Sequence, residues 1–237
     1  MIPQVFKDIG IHDNDPRFKN FEETKEYTNS FINKYKRGQL EINNWVEITN
    51  IINDLYSEIK NENNLGNVAD YIPQLAKVDE ELFGIVFMSI DGQVFELGDT
   101  NCKFCIQSCS KPITYGIILE EYGEKIVHNF VGKEPSGRNF NELCLNEDNL
   151  PHNPLINSGA IMSISLIKPS LSQADRFQFI YDFWEKILIN NISFNNSIYL
   201  SEKDTADRNY CLGYMMQEKM AFQNGKDINI SKEIKRE

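Results

Sequence analysis

Histidine and tryptophan are scarce in this chain, and positive charge is in deficit. The 237 residues include 3 His and 2 Trp, and 24 Lys and Arg stand against 35 Asp and Glu, for a net charge of -11. Such a balance repels phosphate backbones and anionic lipid surfaces, so neither nucleic acid nor a membrane is an expected partner. Long apolar runs are also missing: FGIVFMSI at 83–90 is the longest candidate, and its length reads as a strand rather than a bilayer span. The opening MIPQVFKDIGIHDNDPRF has neither the pattern of a secretory signal nor that of an Arg-rich, acid-poor transit peptide. The expected location is therefore cytoplasmic. Five cysteines (Cys102, Cys105, Cys109, Cys144 and Cys211) make an odd number without framework spacing, which suits reduced thiols. Cys102-x-x-Cys105 is half of a zinc ligand set, but His12, His128 and His152 are scattered, so no metal is expected.

What is present is enough for one core of ordinary size, with 41% hydrophobic residues, 15 Phe and 10 Tyr. Residues 17–62 read as two helices, with Ile42, Trp45, Ile48, Ile52, Leu55 and Ile59 forming an apolar stripe at three- and four-residue spacing. The polar NENNLGN at 61–67 marks a boundary, dividing a helical N-terminal region, 1–62, from a second domain, 63–237. Two apolar runs then flank Asp91-Gly92, a tight-turn pair whose hairpin geometry calls for positive φ at both residues. Helices are expected over 108–123, with Pro112 in the first turn, and over 157–168, 172–190 and 202–220. The Gly-, Pro- and Asn-rich stretch 131–154 is too long for a plain connector and reads as an ordered binding loop or lid. The last residues, NGKDINISKEIKRE, read as a frayed tail. The pattern is α+β, with a hairpin that needs more strands beside it than the sequence supplies.

FCIQSCSKPITYG, residues 104–116, concentrates two serines, two cysteines and a lysine. A helix starting near Ser108 would bring its hydroxyl and the Lys111 amine to one face, a turn apart. Burial disfavours the charged lysine, and a neutral amine can take the serine proton and create a nucleophile. The free N–H groups and positive dipole of a helix start would favour the oxyanion that follows attack. An N-capping serine beside a surface lysine is the plainer reading of the same motif.

Beyond that motif, GNVADYIPQLAKVDEELFGIVFMSIDGQVFELGDT, FCIQSCSKP, VHNFVGKEPSG, FNELCLNEDNLPHNPLINSGAI and SEKDTADRNYCLGYMMQEK resemble successive blocks of the serine-dependent, β-lactamase-like glutaminases. The nearest flavour is the eukaryotic kidney-type branch, and the likeness runs from about residue 66 to about 225. The resemblance implies a β-lactamase/transpeptidase-like fold, a helical cluster with an antiparallel sheet. It makes Ser108 the nucleophile, Lys111 its base and Tyr71 a tyrosine lining the site. Gln107, Ser108, Asn157, Glu202 and Asn209 are the implied glutamine contacts. Their types fit the substrate, because a carboxylate such as Glu202 suits an α-ammonium and amides can satisfy an α-carboxylate. Glu202 and Asn209 lie seven apart, so one helix could present both.

The implied reaction is hydrolysis of L-glutamine to L-glutamate and ammonia through an acyl-enzyme, without metal or organic cofactor. The resemblance also implies phosphate as an activator, a homo-oligomer (a tetramer in the family) and a mitochondrial alternative for location. The family's later blocks supply two more site tyrosines, an oxyanion-hole N–H and further strands, and this sequence matches none of them after NGKDI. The expectation is a domain missing its C-terminal part, with stand-alone turnover an open question. A non-catalytic module assembling with full-length subunits is the alternative.

Overall fold

The structure, a computed structural model, describes residues 32–62, 66–188, 192–219, 221–223 and 230. The start of the expected 17–62 helical region and nearly all of the expected tail lie outside them. The chain divides into two compact units, one holding the residues up to 69 with 77–104, the other holding 70–76 and the residues from 105 onward.

In the first unit, helix α1 (Trp45–Asn61) and a hairpin of β1 (Gly84–Met88) and β2 (Val94–Gly98) form a small α+β layer. The strands are antiparallel, with Gly84 opposite Gly98 and Phe87 opposite Phe95. Period-two alternation turns Ile85, Phe87, Phe95 and Leu97 to the more covered face, and leaves Val86, Met88 and Val94 exposed. Trp45 of α1 stacks on Phe87, centroids 5.1 Å apart, and Tyr56 stacks on Phe83 at 4.9 Å. The inward stripe of α1 therefore passes through Trp45, Ile52 and Tyr56. Leu55 and Ile59, expected on it, are about half exposed. Tyr56 wins the inward place because its ring packs while its hydroxyl donates to the Phe83 carbonyl at 3.2 Å, which an aliphatic side chain cannot do.

The hairpin turn also departs from expectation. Gly92 has φ 98°, whereas Asp91 is not in the left-handed region. Ser89 N–H donates to the Gln93 carbonyl at 2.9 Å and Gly92 N–H to the Ser89 carbonyl at 3.2 Å. This closes a three-residue loop with glycine at the one position that needs positive φ. The two-residue turn would have needed it twice.

The second unit is helical. After a 3-10 turn at Gln107–Ser110 come α2 (Lys111–Tyr122), α3 (Glu124–Val127), α4 (Asn157–Leu166), α5 (Gln173–Ile187), α6 (Asn196–Asp204) and α7 (Asp207–Glu218). Pro112 sits in the first turn of α2, where its missing N–H costs nothing. Helix α4 is the axle: every residue from Ser158 to Leu166 is buried, and it packs on α2 and α7. Ile117, Ile118, Val127, Ile161, Met162, Leu212 and Met216 make the core, each burial contributing about 1.5–3 kcal/mol before entropy is counted.

A helix buried all round must satisfy its end carbonyls internally. Arg176 of α5 donates to the Ile164 carbonyl at 2.7 Å, and the Tyr122 hydroxyl to that of Leu166 at 3.0 Å. At its other end, Gly159 is required by close approach, since a Cβ there would run into the Asn153 carbonyl oxygen. Helix α4 stops before Lys168, which has φ 43° and precedes Pro169.

The stretch 131–154 is tied down by its own hydrogen bonds. Gly132 N–H meets the Pro151 carbonyl at 2.8 Å, and Asn146 Oδ1 accepts from Leu150 N–H at 2.9 Å, while Leu145 and Leu150 reach the core. The single helix expected over 202–220 is two. Thr205 Oγ1 donates back to the Ser201 carbonyl at 3.1 Å, and Thr205 and Ala206 both have ψ near zero, so α6 ends and α7 restarts at Asp207.

Candidate functional site

All seven residues singled out from the sequence belong to the second unit. The structure ties six of them into two clusters, one through Gln107, directly before Ser108, and one through Lys111, three residues after it.

The first cluster is a relay. Lys111, the first residue of α2, is 6% exposed and donates from Nζ to Asn157 Oδ1 at 2.6 Å. That bond fixes the Asn157 amide, whose Nδ2 donates to Asn209 Oδ1 at 3.1 Å. Asn157 opens α4 and Asn209 lies in the first turn of α7. Three helix N-terminal turns therefore meet through one hydrogen-bonded chain. The positive dipole ends of these helices make the neighbourhood favourable to negative charge.

The second cluster is acidic. Tyr71 OH lies 2.7 Å from Gln107 Oε1 and 2.7 Å from Glu202 Oε1. Gln107 Nε2 donates to Glu202 Oε1 at 3.0 Å and to Cys105 Sγ at 3.3 Å. A phenol has one proton for its two acceptors, so the cluster has more acceptors than donors. Desolvation pushes the Tyr71 phenol well above the usual tyrosine range, and the hydrogen bond and negative charge of Glu202 push it further. Tyr71 is therefore a proton donor at neutral pH, not a phenolate.

Ser108 lies in the 3-10 turn, directly after Gln107 of one cluster and three residues before Lys111 of the other. Its side chain is exposed, and among the described residues none hydrogen-bonds its hydroxyl. Ser110 is used differently: its Oγ donates to the Gln107 carbonyl at 2.8 Å and closes the turn. Gln107 has φ 45°, a left-handed conformation that costs a non-glycine residue about 1–2 kcal/mol. That strain sits directly before Ser108 and turns the Gln107 side chain toward Tyr71 and Glu202.

Two expectations change in detail. The helical hydrogen-bonding geometry begins as a 3-10 turn, and Lys111 points its amine at Asn157 rather than bonding Ser108. Glu202 and Asn209 stand on separate helices, α6 and α7, so tertiary packing rather than helical spacing sets their relation. Sequence reasoning missed Cys105, the sulfur acceptor for Gln107, and Phe140. The Phe140 carbonyl accepts from Asn157 N–H at 2.9 Å, and its ring centroid lies 5.8 Å from Lys111 Nζ. Phe140 stands inside a stretch whose resemblance was noted, but a lone aromatic in a polar loop gives no spacing signal.

Comparison with known proteins adds the ancestry. The glutaminase family model matches residues 66–232. The mouse liver-isoform mitochondrial glutaminase is 42% identical over 81% of this chain and 32% of its own length. A glutaminase of Microcystis aeruginosa is 36% identical over 78% of this chain and 54% of its own. Among solved structures, a probable glutaminase, ybaS, superposes with a TM-score of 0.72 at 25% identity, over 79% of this chain and 60% of that one. The chain thus spans about a third to a half of the length of these sequence relatives.

Proposed function

Because the chain belongs to the glutaminase family, we propose that it hydrolyses the side-chain amide of L-glutamine to L-glutamate and ammonia through an acyl-enzyme on Ser108. The observation that carries the reading is the pair of hydrogen-bonded clusters whose members Gln107 and Lys111 stand just before and three residues after Ser108 in the chain. One is rich in acceptors and suits the α-ammonium; the other gathers helix N-termini and amides and suits the α-carboxylate or a developing oxyanion.

In this mechanism the Ser108 oxygen bonds to the amide carbon while its proton passes to Lys111. Lys111 returns a proton to the nitrogen as the C–N bond breaks and ammonia leaves. Water then adds to the ester, releasing glutamate and restoring Ser108. Asn157 holds the Lys111 amine and is itself held by Asn209. Glu202, with Gln107 and Tyr71, receives the substrate ammonium, whose three donors relieve the donor shortage there. No metal or organic cofactor takes part. Phosphate as an activator, a homotetrameric assembly, and a cytoplasmic or, as in the mouse relative's name, mitochondrial location complete the proposal.

Ammonia release from glutamine by the purified chain, abolished by Ser108→Ala, is the expected result. Opening of a β-lactam with glutamine ignored would overturn it. The exposed outer face of the hairpin, Val86, Met88 and Val94, favours a second reading, in which the chain assembles with full-length glutaminase subunits without turnover of its own. Co-purification with such subunits and no ammonia release alone would favour that reading.

A further inference from the structure

One residue touches both partners of the Lys111–Asn157 hydrogen bond. The Phe140 carbonyl accepts the Asn157 N–H at 2.9 Å, and the Phe140 ring centroid lies 5.8 Å from Lys111 Nζ. Core packing does not account for an aromatic at this position, because Phe140 is 61% exposed while Leu145 and Leu150 of the same stretch pack on the core. Lys111, near whose amine the ring lies, is 6% exposed. The ring is solvated on its outer side and has a nearly buried lysine on the other.

We propose that Phe140 is a positioning residue for the Lys111–Asn157 pair, its carbonyl fixing Asn157 and its ring face covering the Lys111 amine. The inference rests on the reading of Lys111 as the base. Its chemistry is that of a quadrupole facing a group whose charge changes. The negative face of an aromatic ring attracts an ammonium but has little to offer a neutral amine. When the Ser108 O–H bond breaks and the Lys111 N–H bond forms, the attraction grows with the positive charge. An interaction that strengthens along the reaction lowers the barrier without tightening substrate binding. The backbone carbonyl is common to every residue type, so side-chain substitution removes the ring and leaves the contact to Asn157.

The test compares Phe140→Leu, Phe140→Tyr and Phe140→Ala in the intact chain, with equal thermal midpoints as the folding control. Leucine keeps an apolar cover without a π face, and is expected to lower kcat about two- to fivefold, the size of an exposed cation–π contact, at unchanged KM. Tyrosine is expected to retain the wild-type kcat. A second readout needs no turnover: acylation of Lys111 by an amine-reactive acetylating reagent, followed by peptide mass spectrometry. Alanine is expected to speed acylation at Lys111 about tenfold or more, and tyrosine to leave it protected. Equal Lys111 acylation in the wild type and Phe140→Ala, or a leucine variant with the tyrosine variant's kcat, would overturn the proposal. The mechanistic reading fails separately, if Ser108→Ala keeps turnover.

Discussion

Lys111, 6% exposed, donates to an amide that is itself tied to a second amide, whereas Tyr71, 52% exposed, offers one proton to two oxygen acceptors. The lysine side of the site has its polar groups chained together and drawn from the starts of three helices. The glutamate side is open, and its acceptors outnumber its donors. The first arrangement needs no rearrangement to hold a base in place, which is how preorganised catalytic groups act. The second is completed by a ligand that brings N–H donors. Under the proposed mechanism, chemistry falls to the lysine side and recognition to the glutamate side.

The largest effect is expected where the closed side is broken. Lys111→Ala should cut kcat about 10²- to 10⁴-fold, the usual contribution of a general base, with glutamine affinity by calorimetry changed far less. Breaking the open side should look different. Glu202→Gln removes the charge facing the ammonium and should raise KM about ten- to a hundredfold, with a smaller change in kcat, as steady-state kinetics can measure. If both substitutions acted on kcat alone, the division between the two sides would fall. Asn157→Ala deletes the amide joining Lys111 to Asn209 and should lower stability by about 1–3 kcal/mol in urea unfolding, since Lys111 loses that acceptor in a buried setting.

The smallest effect concerns ionisation. The Tyr71 phenol is raised by desolvation and by Glu202, so it stays protonated through the usual tyrosine range. A raised folded value means that its contribution to stability is intact below the unfolded value, about 10, and is lost only as pH climbs through the folded one. Phenolate absorbance should show no difference between the wild type and Tyr71→Phe up to about pH 11. An extra phenolate in the wild type near pH 10 would mean that this hydroxyl is not held, desolvated and against Glu202, as the structure has it.

Much of this was legible in the sequence, for identifiable reasons. The Asp91-Gly92 hairpin, the helix behind Pro112 and the α5 segment follow from local periodicity and turn chemistry. The break at Thr205 was not legible, because a threonine bonding back to Ser201 looks like any other helical threonine until the chain stops. Nor was the inward turn of Tyr56, which depends on Phe83 some 27 residues away. For the site, residue types and family blocks named the participants, but not their partners. That Lys111 meets Asn157 and not Ser108, and that Gln107 joins Tyr71 to Glu202, are long-range facts of packing.

The account stands most directly on Ser108 carrying the acyl group. Intact and peptide mass spectrometry of the chain, acid-quenched during exposure to L-glutamine, should find a γ-glutamyl adduct on the peptide holding Ser108. The adduct should be absent in Ser108→Ala, and in Lys111→Ala it should form far more slowly. Ammonia release that persists in Ser108→Ala, or an adduct on Cys105 or Cys109 in place of Ser108, would contradict it.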